Sequence, residues 1–210
     1  LNWNHNFQNN PYWVLETNRN TLEKDRIIVN ITLTSQLTDN LTLSTMLGVD
    51  GFNQRTSNRQ AFGSNNAQSG SYTERIRRFE EINTNFLLSY NDNITEDFEF
   101  SMSVGGNHMN RTVDNVRGSL PNLELPNLYS LSNLQTGSTA ELSNYHADQQ
   151  INSFYATGQL AYKNMVFLDF TGRKDWASIL PIANNSFFYP SVATSVLLSD
   201  VFKDLKENNV

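Results

Sequence analysis

Apolar and polar side chains alternate along this chain with a period of two. From Arg26 to Leu37, one set of alternate positions is apolar (Ile27, Val29, Ile31, Leu33 and Leu37) and the other is polar (Asn30, Thr32, Thr34 and Gln36). Successive side chains point to opposite faces in a β-strand, so this period predicts a strand. The pattern recurs at 41–50, 82–90, 98–105, 153–162, 166–173 and 188–198. The sequence therefore predicts an all-β fold with seven recognisable strands.

The connections between the predicted strands are alternately short and long. Turns of a few residues are expected near Thr38, Asp92 and Asn164, whereas long loops are expected at 53–74, 110–149 and 177–186. Such a chain forms an antiparallel meander, here of about seven to eight strands. Strands of about ten residues in this arrangement are typical of transmembrane β-barrels of the outer membrane, which have short periplasmic turns and long extracellular loops.

A soluble or surface-attached β-sandwich also has alternating strands, and it is the alternative interpretation, as a carbohydrate-binding or adhesion module. Three features favour the membrane. Only 17% of residues are charged, and the polar faces are mostly Asn, Ser, Thr and Gly, as a water-filled lumen tolerates. The loop expected at 110–149 is long for a compact soluble domain. Aromatic residues also lie near predicted strand ends, where membrane interfaces place them: Tyr90, Phe98, Phe100, Tyr162, Trp176, Phe187, Phe188 and Tyr189.

Composition and motifs exclude several functions. The chain has no Cys, which removes thiolate chemistry, and its formal charge of −6 argues against a nucleic-acid partner. The longest apolar runs have about four residues, far fewer than the roughly 20 of a membrane helix. His5, His108 and His146 lack zinc-site spacing, and no nucleophile-elbow, P-loop or dinucleotide-binding motif occurs. We therefore predict no enzyme activity, no cofactor and no metal site.

Two segments resemble the transmembrane barrel of SusC/RagA-like TonB-dependent transporters. The shorter is Asn10-Pro11-Tyr12-Trp13, followed after a polar stretch by Asp25-Arg26-Ile27-Ile28-Val29-Asn30. The longer runs from Phe167-Leu168-Asp169-Phe170-Thr171-Gly172-Arg173-Lys174-Asp175-Trp176 through Pro181 to Asn185-Ser186-Phe187-Phe188-Tyr189-Pro190-Ser191. The likeness extends from about Asn10 to Leu205. It implies that residues 1–210 are one partial barrel domain, without the family's plug, TonB-contacting segment or C-terminal strands.

The resemblance also implies a function. Such transporters import oligosaccharides or other large nutrients, including peptides, across the outer membrane of Gram-negative cells. The expected partners are therefore outer-membrane lipid, a SusD-like surface lipoprotein, the TonB complex, and an oligosaccharide or peptide substrate.

Two groups of residues are candidates for the lumen or the ligand. Asp169, Arg173 and Asp175 share one face of a predicted strand, so a guanidinium held near carboxylates is expected to form a lumen-facing polar cluster. Tyr12 and Trp13 are expected in a loop, where they would bind ligand or anchor the loop by packing.

Overall fold

The computed structural model describes residues 8–198 of the chain. A short helix, α1 (Pro11–Thr17), precedes seven strands, and a 3₁₀ turn (Ile182–Asn184) precedes the last of them. The strands are β1 (Asn20–Gln36), β2 (Leu41–Ser64), β3 (Ala67–Asn93), β4 (Phe98–Leu120), β5 (Glu141–Tyr162), β6 (Val166–Ala177) and β7 (Ser186–Val196). They form one sheet in the order β1-β2-β3-β4-β5-β6-β7, so each strand pairs with its neighbours in the sequence. The predicted antiparallel meander of seven strands is confirmed.

Contacts group the chain into two compact units, each holding parts of several strands. The turn unit comprises Val29–Val49, Glu81–Arg111 and the described residues from Gln149 onward. The loop unit comprises the described residues up to Ile28, Asp50–Glu80 and Thr112–Asp148.

Tight turns join the strands of the turn unit. They lie at 37–40, 94–97 and 163–165. In the last of them, Lys163 and Asn164 have φ angles of 51° and 54°. Left-handed φ at both central residues is the type I′ turn, whose twist matches that of paired strands. The three predicted short turns are thus present, although β3 continues through Asn93 and the turn expected near Asp92 lies at 94–97.

One face of the turn unit is apolar and exposed. It is called the apolar face here, and it carries the odd-numbered residues of β1 and β2 and the even-numbered residues of β3 to β7. Six side chains that represent it on five strands are all at least 40% exposed: Ile31, Leu33, Phe86, Met102, Leu168 and Val196. A β-sandwich would bury this face against a second sheet, but the strands within residues 8–198 form a single sheet. The structure therefore lacks the covering layer that the sandwich interpretation requires.

Phenylalanine rings lie across glycines on the apolar face. Gly158 is paired with Phe170 of β6, and a Cβ added at Gly158 would overlap the Phe170 ring. A Cβ at Gly106 would lie 2.5 Å from Cε1 of Phe86 on β3. Each ring therefore covers the backbone of a glycine, which has no side chain to cover it, and this arrangement supports strand pairing at glycine.

Strands β2 and β3 run far beyond the stretches that predicted them. They have 24 and 27 residues and meet at Asn65-Asn66, so the long loop predicted at 53–74 is wrong. The expected strand length of about ten residues also holds only for β6 and β7, which have 12 and 11. Residues 53–60 are polar at both odd and even positions. Strand pairing through the backbone continues there, but the hydrophobic alternation that reveals a strand does not.

The loop predicted at 110–149 is shorter than expected, because β4 and β5 extend into it and leave only residues 121–140. This segment covers a small core of Tyr72, Leu120 and Leu123, and partly buried apolar side chains surround that core: Phe62, Tyr129, Leu134 and Ala140. Buried Asn133 fixes the loop, because its Nδ2 donates to the carbonyls of Leu125 and Leu128 at 2.8 and 2.6 Å. The connection predicted at 177–186 is non-strand over 178–185.

Candidate functional site on the polar face

The sheet surface opposite the apolar face is called the polar face here. In the loop unit the hydroxyls of Thr73 and Ser119 lie 2.8 Å apart, and in the turn unit those of Ser89 and Ser103 do the same. Both pairs fit one antiparallel register of β3 with β4. Because alternate residues share a face, the polar face carries the odd-numbered residues of β3 to β7 and the even-numbered residues of β1 and β2.

Arg173 is the centre of a polar network in the turn unit. Its Nε donates to Oδ1 of Asp175 at 2.7 Å, and its Nη2 donates to Oγ of Ser153 at 2.9 Å. The guanidinium also lies 5.7 Å from the ring centre of Tyr155, the residue directly opposite on β5. A charged hydrogen bond and an aromatic ring thus hold this side chain in one orientation.

Tyr155 extends the network to β3. Its hydroxyl and the side-chain amide of Asn85 exchange hydrogen bonds of 2.9 and 3.2 Å. The ring crosses Gly105 of β4, where an added Cβ would lie 2.6 Å from Cζ of Tyr155. Glycine is therefore required at 105 for the tyrosine to reach across one strand to the next.

The predicted polar cluster is brought together only in part. Arg173 and Asp175 are in contact, whereas Asp169 accepts a hydrogen bond of 2.7 Å from Nε2 of Gln159. Asp169 lies four residues from Arg173, about 13 Å along the strand, which is too far for an ion pair. That the three residues line a lumen stays a prediction.

A second charged pair lies on the polar face of the turn unit. Arg111 binds Oε2 of Glu81 through Nε at 2.8 Å and Nη2 at 2.6 Å. Nδ2 of Asn83 donates to the other oxygen of Glu81 at 2.7 Å. Carboxylate and guanidinium therefore neutralise each other within a surface of amides and hydroxyls.

The polar face of the loop unit carries an aromatic pair that was not predicted from the sequence. The rings of Phe52 and Phe79 stack at 5.1 Å with an angle of 16°. Nζ of Lys24 lies 4.0 Å from the centre of the Phe52 ring, and the guanidinium of Arg77 lies 5.7 Å from it. The signal was available, since Phe52 is apolar at an even position of a strand whose odd positions form the apolar face.

A groove of about 490 Å³ crosses the polar face in the loop unit. Four strands contribute to it, and the side chains within residues 8–198 that line it are polar and include no carboxylate: Gln54, Thr56, Asn58, Thr73, Arg75, Asn115, Arg117 and Ser143. Its volume falls within the range of small-ligand sites. The groove can thus offer hydrogen bonds and positive charge.

Tyr12 and Trp13 do not lie in an irregular loop as expected, but in α1. The Oδ1 atom of Asn10 accepts a hydrogen bond of 3.0 Å from the backbone N of Tyr12, and Pro11 occupies the first turn, so the segment has ordinary helix-start chemistry. Tyr12 is 84% exposed. Ligand binding by these two aromatic residues stays a prediction.

In the loop unit, β4 and β5 place a histidine between two carboxylates on the surface opposite the polar face. Nδ1 of His146 lies 2.6 Å from Asp114 and Nε2 lies 3.0 Å from Asp148, and these hydrogen bonds raise the pKa of His146 above its ordinary value. Within residues 8–198 no group of three or more His, Cys, Asp or Glu side chains has the geometry of a metal site. His5, a residue considered for zinc, lies outside the described residues.

Comparisons with solved structures find the same fold in transporters. The chain aligns with the RagAB peptide transporter at a TM-score of 0.83 and 23% identity, covering 90% of this chain and 21% of that one. The RagAB peptide importer gives 0.83 and 23% in its closed-closed state, with 92% and 22% covered. Its open-open state gives 0.81 and 22%, with the same coverage. The chain thus spans about one fifth of each matched chain.

No protein-family model and no curated protein matches the chain. No helix among the described residues is long and apolar enough to cross a membrane. The structural likeness agrees with the resemblance noted in the sequence, since both concern the same kind of sheet. This chain therefore has the fold of a segment of the barrel of a SusC/RagA-like TonB-dependent transporter.

Proposed function

We propose that this chain is a barrel segment of a TonB-dependent importer in the outer membrane of a Gram-negative cell, taking up peptides, oligosaccharides or similar large nutrients. The observation that carries the proposal is the exposed apolar face of the turn unit, on a sheet with the fold of the RagAB barrel. A SusD-like lipoprotein and the TonB complex are the proposed partners, by the same likeness.

Lipid is the environment that suits the apolar face. A soluble protein rarely exposes a large continuous apolar patch, because each Å² kept in water costs about 25 cal/mol. From Val166 to Trp176, β6 covers about 33 Å, which a barrel tilt of about 40° reduces to the roughly 25 Å of an outer-membrane apolar band. Trp176, exposed on the apolar face, would then lie at one interface.

The polar face suits the lining of a water-filled path. Its charges are largely compensated in the turn unit, where Arg173 binds Asp175 and Arg111 binds Glu81. We propose that Asp169, like these residues, faces the lumen. Paired charges of this kind keep the wall hydrated without giving it a strong net field.

The matched structures are peptide transporters, which favours peptide as the cargo. The resemblance in the sequence favours oligosaccharide instead. The amides, hydroxyls and aromatic rings of the polar face can contact either. Tyr12 and Trp13 are proposed as additional contacts for ligand or for packing. The proposal therefore covers both cargo classes.

Tryptophan fluorescence tests the membrane assignment. In a variant with Trp3→Phe and Trp13→Phe, Trp176 is the only tryptophan, and vesicles of brominated phosphatidylcholine should quench its emission. A matched variant that keeps only Trp13, in the loop unit, should be quenched far less. A monodisperse chain with native strand content in detergent-free buffer would contradict the proposal and support the soluble carbohydrate-binding alternative.

A further inference from the structure

Three arginines cluster on the polar face of the loop unit, and no carboxylate within residues 8–198 pairs with any of them. The register set by Thr73 with Ser119 places Arg75 directly opposite Arg117, and Arg77 follows Arg75 on the same face. Residues opposite each other in an antiparallel pair have Cβ atoms about 5 Å apart, and like charges there are destabilising. The three residues are called the arginine cluster here.

Five of the six other arginines of the sheet are neutralised by a carboxylate, and the sixth, Arg59, lies on the opposite face with its guanidinium 4.6 Å from the centre of the Tyr129 ring. Within residues 8–198, ion pairs join Arg26 to Asp50, Arg55 to Glu74, Arg78 to Glu80, Arg111 to Glu81 and Arg173 to Asp175. In the same range of residues no ion pair is formed by Arg75, Arg77 or Arg117. Arg78 adjoins Arg77 in the sequence but lies on the opposite face of the sheet, and unlike Arg77 it forms an ion pair. The cluster is therefore a local excess of positive charge and does not reflect the composition of the sheet.

The cluster borders the groove, and its geometry suits an anion. Arg75 and Arg117 line the groove, and Nε of Arg75 donates to Oδ1 of Asn115 at 2.7 Å, which orients the guanidinium. Arg77 lies beside the Phe52 ring. A guanidinium binds a carboxylate through two parallel hydrogen bonds, more favourably than it binds a neutral group.

Among residues 8–198, no carboxylate lines the groove. Glu141 is the nearest one on the same face by register, next but one to Ser143 on β5, and it does not line the groove. Glu74 lies on the opposite face, where Arg55 and Tyr72 bind it. The positive charge of the groove is thus available to a ligand.

We infer that the arginine cluster and its groove bind a carboxylate group of the cargo, so that the importer favours acidic cargo over neutral cargo of the same size. The inference rests on the proposed function and specifies its substrate class. A peptide provides such a group as its C-terminus or an acidic side chain, and an oligosaccharide provides it as a uronic acid. The neutral groove residues would contact the rest of the ligand.

Binding to the full chain, folded in detergent micelles, tests the inference. Four probes separate the sources: tetraalanine with a free C-terminus, tetraalanine amide, tetragalacturonate and maltotetraose. Calorimetry should show that at least one carboxylate probe binds about tenfold or more tightly than its neutral partner, and Arg75→Gln and Arg117→Gln should each remove this preference. The pair of probes that shows it identifies peptide or sugar acid as the source.

Arg78→Gln is the matched control, since it removes the neighbouring charge from the opposite face. It should leave the preference unchanged. The inference is wrong if neither carboxylate probe outbinds its neutral partner, or if Arg78→Gln lowers the preference as much as Arg117→Gln does. If the carboxylate preference is absent but Trp176 is still quenched by brominated lipid, the inference fails and the proposed membrane function stands.

Stability without ligand gives a second, independent measurement. If Arg75 and Arg117 repel each other, Arg117→Gln should raise the midpoint of urea unfolding at low salt. The gain should disappear at 1 M NaCl, where the Debye length is only about 3 Å. An unchanged or lowered midpoint at low salt would show that the two charges are compensated, and it would overturn the inference.

Discussion

Glycines and phenylalanines that face each other across strands set the packing of the apolar face residue by residue. We expect Gly158→Ala to lower the free energy of unfolding by about 1 kcal/mol, because the new methyl group displaces the Phe170 ring. Gly172→Ala is the matched control on the same face, since its Cβ would lie 3.4 Å from Phe188, in ordinary contact. Urea unfolding in detergent micelles measures both, and equal midpoints would contradict the role assigned to the Phe170 ring.

His146 provides a residue-level pH dependence. Its pKa is raised chiefly by the hydrogen bond with Asp114. The stabilisation from this pairing is therefore complete below the ordinary pKa of about 6.5 and is lost as the pH rises through the higher folded value. NMR titration should give a pKa above 6.5 that falls in Asp114→Asn. Glu16→Gln, which removes a carboxylate bound to Arg19, should leave it unchanged; an unaltered pKa in Asp114→Asn would contradict the assignment.

The loop over residues 121–140 is an element held by one buried amide. Asn133→Ala leaves the carbonyls of Leu125 and Leu128 and the backbone N of Leu125 without their partner. A buried polar group left unpaired costs about 1–3 kcal/mol, so we expect faster hydrogen exchange across 121–140 and unchanged exchange in β6. Ser132→Ala, an exposed change in the same loop, should have no such effect. Protection retained in Asn133→Ala would show that the small core alone fixes the loop.

Strands differ in how well the sequence reveals them. β6 and β7 were predicted to within four residues of their ends, because apolar and polar side chains alternate over most of each strand. β2 and β3 were predicted only at their apolar-alternating parts, since residues 53–60 are polar on both faces. A hydrophobic period reports the environment on the two sides of a strand, and backbone pairing can continue where both sides are polar.

At the scale of the whole molecule, the two faces of the sheet are expected to respond differently to charge. Met102→Lys places a charge on the apolar face and should cost about 2–4 kcal/mol in a lipid-embedded sheet. Ser101→Lys, one residue away on the polar face, should cost much less. Unfolding of the chain in lipid vesicles measures the difference. Equal effects would argue for water on both faces and against the membrane.

The candidate site was predicted less completely than the fold. Arg173 and Asp175 are two residues apart in one strand, so alternation alone put them on one face. Tyr155 and Asn85 come from different strands, as do Arg75 and Arg117, and the closeness of each pair depends on a register that no local pattern specifies. Arg75, Arg77 and Arg78 lie close together in the sequence, but alternation along β3 places Arg78 on the opposite face from the other two.

The sequence by itself determined that the chain is a meander of strands with one apolar and one polar face, because a period of two in hydrophobicity follows from the geometry of the extended backbone. It also supported the likeness to a transporter barrel. Only the tertiary structure decided how far the strands continue, how residues 121–140 fold over their core, and which charges are paired. Those features depend on hydrogen bonds and side-chain contacts between residues distant in sequence, which local composition does not record.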